Sequence, residues 1–179
     1  TRTWGLFAVG ALMYTQGHGI HLAANSVSNL VVDEALTNGP LVDIVHLWDE
    51  LVGHYLWYGG LSIVLVAVTV AVTRRRVAIA SRAFIPAILV AVLAGLTYAT
   101  NALEGHFAWP GLVFVAAMTI MLTIEWRRRS RPPGSELEPV AADLVLVGFA
   151  SAVLVLGFYG CWHRGFPDPS SVGWNLLAR

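Results

Sequence analysis

The sequence has no lysine, one cysteine and little charge of either sign. Only 12% of its 179 residues are charged, and 11 basic side chains cancel 11 acidic ones. No net field attracts a polyanion, so nucleic acid is excluded as a partner. Cys161 alone forms neither an intramolecular disulfide nor an all-thiolate metal site, and it reads first as a small packing residue. The sequence also lacks a Gly-rich phosphate loop, a dinucleotide fingerprint and a Gly-x-Ser-x-Gly elbow.

What the sequence has in excess is hydrocarbon. With 56% hydrophobic residues and a mean hydropathy of +0.66, it reads as an all-α, polytopic membrane bundle. Five segments, 4–25, 41–73, 83–103, 107–126 and 140–162, are expected to span, making 1–179 a single transmembrane domain. The second is longer than a span requires. Its start, with Asp43, His46, Asp49 and Glu50, is expected to project into the outer headgroup region.

Arginine fixes the expected topology. Arg74, Arg75, Arg76 and Arg82 lie between the second and third segments, and Arg127, Arg128, Arg129 and Arg131 follow the fourth. With Arg2 that places nine arginines on the cytoplasmic side, against Arg164 and Arg179 outside. The N-terminus of this multi-pass plasma-membrane protein is then cytoplasmic and the C-terminus external. The chain starts at Thr1 rather than Met, which leaves an upstream segment open.

The six histidines, His18, His21, His46, His54, His106 and His163, fall toward the external end of these segments. At about 1.5 Å of rise per residue, His18 and His21 stand roughly 22 and 27 Å above the inner boundary, and His54 and His163 roughly 30 Å. Glu104 and His106 follow at roughly 33 to 36 Å. Helical periodicity also aligns them. Tyr14, His18, His21 and Asn25 share one face, as do Asp43, His46, Glu50 and His54, with Asp49 on the shoulder of that stripe. Thr97, Asn101 and Glu104 align below His106, and Tyr159 with His163. Polar stripes at one depth cost less facing one another than facing lipid.

Imidazole with carboxylate and no thiolate suits zinc, non-haem iron, manganese or copper(II). His18, His21, His46, Glu50, His54 and His106 are the expected ligands of a divalent metal, zinc first and iron or copper next. Asp49 and Glu104 are the expected proton-transfer partners of a metal-bound water. There are also enough ligands for two ions. Singly, any of these histidines is more readily an interfacial hydrogen-bonding group than a ligand, and His163, followed by Arg164, fits that reading best. Asp33 and Glu34 solvate a loop, Glu125 pairs with Arg127 and Arg128, and Asp143 is a first-turn carboxylate favoured by the helix dipole.

Trp48, Trp57, Trp109, Trp162 and Trp174, with Tyr55 and Tyr58, form an expected outer aromatic belt, and Trp4 and Trp126 an inner one. Gly17, Gly59, Gly60, Gly95 and Gly105 read as helix-contact points, and Pro86 as an early-turn residue.

These features point to a membrane metalloenzyme in which a metal-activated water hydrolyses a lipid-like or amphiphilic substrate. Alternatives are an iron- or copper-dependent oxidoreductase or monooxygenase acting on a small apolar substrate, and a metal- or haem-binding transport or assembly subunit. Haem held by His21 with His54 or His106 leaves Asp49, Glu50 and Glu104 unused. Transport lacks ionisable groups in the inner halves of the second to fourth segments, unless a homo-oligomer or a partner membrane subunit supplies a path. As an analogy, the arrangement resembles the alkaline ceramidase and adiponectin-receptor group, which build a histidine-ligated zinc site between helices. Their terminal His-x-x-x-His is absent here, and five spans are fewer than theirs.

Overall fold

The computed structural model describes residues 2–33, 39–75, 77–129 and 140–173, which are helical apart from short connections and an isolated bridge between Ala78 and Val140. Five long helices follow one another: α1 (Arg2–Asp33), α2 (Pro40–Arg75), α3 (Ser81–Glu104), α4 (Ala108–Arg129) and α5 (Ala141–His163). Glu34, Arg76, Arg131, Trp174 and Arg179, all used above, lie outside the described residues, as does the side chain of Asp33.

Helices α2 to α5 have the length and apolarity to cross a membrane, yet only 22–28% of their most hydrophobic stretches is buried within the protein. Leu93, Val90, Leu154, Phe158 and Trp162 instead point outward. So much apolar surface is stable only in hydrocarbon, and the chain is a helical membrane bundle. Helix α1, expected over 4–25, runs past Asn25 to Asp33, and at 32 residues is long enough to span. It is not one of the four apolar helices, because Gln16, His18, His21, Asn25 and Asn29 dilute its hydropathy.

The residues group into two compact units, Thr1–Val68 with Gly105–Phe107, and Thr69–Glu104 with Ala108–Arg179. In the first, α1 and α2 run antiparallel along a glycine seam. Gly10 meets Gly60 and Val64, while Gly17 meets Gly53, Leu56 and Trp57. Both glycine pairs are spaced by seven residues, the repeat that keeps one seam facing a partner helix. A Cβ on Gly17 would collide with the backbone of Trp57, and one on Gly60 with that of Tyr14. The backbones therefore touch, as small residues permit between membrane helices. Gly17, Gly60, Gly95 and Gly105 are contact points as expected, whereas a Cβ on Gly59 would meet only the end of Met13.

Helix α2 is not uniform. From Leu47 to Gly53 it widens into a π-helical segment, and both ends continue in right-handed helical geometry. Such i→i+5 winding is rare and concentrates at functional sites.

The second unit contains α3, α4 and α5. Gly95 lies against the Gly148 carbonyl and Ser151, Tyr98 against Phe114, and Phe114 edge-on to Phe149. The Asp143 carboxylate accepts from the Val140 N–H and from Arg129, each at 3.0 Å. It thus covers an orphan amide at the start of α5, as its first-turn position suggests. Glu125 reaches Arg129 at 4.0 Å, one turn on, rather than the expected Arg127 and Arg128. After α5 the chain turns at Arg164 (φ 54°), and the Tyr159 hydroxyl donates to the Pro167 carbonyl at 2.8 Å.

Candidate metal centre

The glycine seam that draws α1 onto α2 also brings their polar stripes together. His18 and His21 lie one turn apart on α1, and Gly53 packs against the Cα and Cβ of His21. Opposite them, the π-helical segment carries Asp49 and Glu50, and the α-helical winding that resumes after it carries His54. His106 arrives on the short Gly105–Phe107 connection, with Gly105 pressed against the Tyr58 ring.

Three close approaches define the cluster. His21 Nδ1 is 2.6 Å from Asp49 Oδ1. Glu50 Oε2 is 3.5 Å from His54 Nδ1 and equally 3.5 Å from His106 Nε2. The His21 and His54 rings lie 4.5 Å apart, centre to centre. Asp49 and His54 are buried, at 7% and 5% exposure.

The hydrogen bonding of this cluster is incomplete. His18 Nδ1, His21 Nδ1, Asp49 Oδ1, Glu50 Oε2 and His54 Nδ1 are all shut off from solvent without a hydrogen bond of acceptable geometry. His21 Nδ1 and Asp49 Oδ1 approach to 2.6 Å, within ion-pair distance. Each unsatisfied buried polar group costs about 1–3 kcal/mol, and native proteins leave few of them. Four of the five are in ion-pair contact with one another, His21 with Asp49 and His54 with Glu50.

Among the described residues, no three or more His, Cys, Asp or Glu side chains form a group that could hold a metal ion as they stand. Metal bonds of about 2.0–2.2 Å put two donors of one ion roughly 2.8–3.6 Å apart. Glu50 with His54 and Glu50 with His106 have that spacing, at 3.5 Å. A complete coordination sphere requires these side chains to turn toward a shared point.

The other expected site residues fare differently. His18 sits edge-on to the Trp57 indole at 4.5 Å and beneath Tyr14. His46 is exposed on α2, and among the described residues no ion pair or ring contact joins it to the cluster. Glu104 is exposed at the end of α3, in the second unit. His163 packs on Tyr159 at 4.5 Å, also in the second unit. Haem between His21 and His54 is geometrically unsuitable: bonds of about 2.0 Å on either face of an iron would separate the ring centres by roughly 6 Å.

Two residues of the cluster are not apparent from the sequence. Trp57, assigned above to the aromatic belt, lies within 4.5–6.1 Å of the His18, His21 and His54 rings. Tyr58 is buried, at 3% exposure, and stacks on Phe107. Their positions three and four residues after His54 were the available signal, since that spacing keeps them near its face. Trp48, Trp109 and Trp162, by contrast, are exposed as a belt requires.

Comparison with known proteins assigns no relative: no protein family, curated protein or solved structure matches the chain.

Proposed function

We propose that this chain is an integral-membrane metalloenzyme whose divalent ion is held by Glu50, His54 and His106. The observation that carries the proposal is the position of Glu50 Oε2, inaccessible to solvent, without a hydrogen bond and 3.5 Å from two imidazole nitrogens contributed by distant parts of the chain. A cation between them neutralises the Glu50 carboxylate, whose side chain is 43% exposed, and takes up the lone pair of His54 Nδ1. Zinc fits the donor set best: three nitrogen and oxygen ligands leave a position open for water. Asp49, rather than the exposed Glu104, is the carboxylate set to accept a proton from that water or to orient His21.

The substrate is lipid-like or amphiphilic, because the cluster belongs to a bundle whose outer surface is apolar. Its reaction is hydrolysis by the metal-activated water. The arginine distribution orients the chain with its N-terminus in the cytoplasm and this centre on the external side.

Elemental analysis of purified protein tests the reading. The wild type retains zinc after dialysis and Glu50→Gln loses at least nine-tenths of it, with helix content and monodispersity in detergent unchanged. Equal retention in the two proteins rules the site out, and a coloured, reducible metal replaces hydrolysis with oxidation.

A further inference from the structure

We propose that a groove at the arginine-rich end of α2 and α4 binds one anionic phospholipid. The groove has a volume of about 410 Å³, within the range of small-molecule sites, and all the residues lining it belong to the second unit. It stands apart from the metal reading.

Its lining divides into hydrocarbon and charge. Leu122 and Thr69, each 1% exposed, lie deepest, and Val70, Met121 and Ile124 add apolar wall. Such a lining accepts an acyl chain and gives water few partners. At the mouth, Arg74 and Arg128 come from the last turns of α2 and α4. Both are exposed, and among the described residues neither makes an ion pair. Arg129, by contrast, is held by Asp143 at 3.0 Å, and Glu125, also at the groove, reaches that same Arg129 at 4.0 Å. Two guanidinium groups therefore remain for an anion, and a phosphodiester accepts charge-assisted hydrogen bonds from both.

Thr73 supplies an independent observation. Thr97, Thr119 and Thr123 each donate to the carbonyl four residues earlier, the usual refuge of a helical hydroxyl in hydrocarbon. Thr73 Oγ1 does not. It lines the groove one residue before Arg74, shut off from solvent and without a hydrogen bond. A lipid phosphate or ester oxygen beside Arg74 gives that hydroxyl an acceptor. The orientation proposed above places this end in the cytoplasmic leaflet, where anionic lipids supply the complementary charge.

The test uses the full chain in neutral detergent, titrated with phosphatidylglycerol and read by native mass spectrometry. One lipid per wild-type chain is expected, with the zwitterionic phosphatidylethanolamine bound about tenfold more weakly. Arg74→Gln with Arg128→Gln lowers the affinity for phosphatidylglycerol about tenfold or more, and Met121→Trp, which fills the groove at constant charge, about threefold or more. Arg75→Gln with Arg127→Gln removes the same charge from adjacent positions that do not line the groove, and leaves the affinity within about twofold of wild type. Every substituted side chain is exposed, so the fold is kept. Equal losses in the two double variants reduce binding to general attraction and overturn the site. Unchanged binding by Met121→Trp, or equal affinity for the two lipids, overturns it as well. Displacement of the lipid by soluble glycerol 3-phosphate does so too, by making a free phosphate the ligand.

Discussion

His106 has a φ of 51°, in the left-handed region that side-chain-bearing residues avoid. That conformation costs about 1–2 kcal/mol, and asparagine or glycine tolerates it best. A histidine kept there fits a requirement for its imidazole beside Glu50. His106→Asn separates the two roles, since asparagine accepts the backbone geometry but supplies no imidazole. Thermal unfolding is expected to stay within about 0.5 kcal/mol of wild type, while zinc affinity falls at least tenfold. A normal zinc isotherm would remove His106 from the ligand set. At this scale the sequence singled out His21, Asp49, Glu50, His54 and His106 by type and depth, and the fold brings them within ion-pair or ring distance of one another, Asp49 and His54 buried, the Glu50 and His106 side chains 43% and 51% exposed. It did not separate them from His46, which shares the α2 stripe at ideal helical spacing yet makes no ion pair with them among the described residues.

Two elements build the site, and both act through backbone geometry. The seam of Gly10, Gly17, Gly53 and Gly60 sets how closely α1 approaches α2, and hence whether His21 reaches Asp49. Gly60→Ala places a methyl group against the Tyr14 backbone and is expected to destabilise the protein by about 1–3 kcal/mol. Gly59→Ala meets nothing closer than Met13 Cε at 3.8 Å, and is expected to be neutral or stabilising by up to about 1 kcal/mol. Calorimetry of the pair checks this, and equal melting points would dissociate the seam from stability. The seven-residue spacing was present in the sequence for Gly10 and Gly53 too, but only a facing partner makes a repeat into a seam. The π-helical segment had no such sign. At 100° per residue Asp49 falls on the shoulder of its stripe, and only wider winding brings it opposite His21.

At the scale of the whole molecule, orientation in the bilayer decides which compartment the histidine–carboxylate cluster faces. After Cys161→Ser, single cysteines at Gly39 and at Arg75 mark the two ends of α2. An impermeant maleimide applied to intact cells should label Gly39→Cys and spare Arg75→Cys, which is labelled only after lysis. The reverse pattern inverts the proposed topology and moves the centre to the cytoplasmic side.

Composition and the length of apolar runs were enough to determine an all-helical membrane bundle, with four helices close to their expected bounds, because a bilayer requires backbone polar groups to be satisfied within each helix. Tertiary structure alone decided which polar residues meet. That depends on helix winding and on backbone approach across the α1–α2 seam. Neither is a property of a residue or its neighbours in sequence; both are settled only when one helix packs on another.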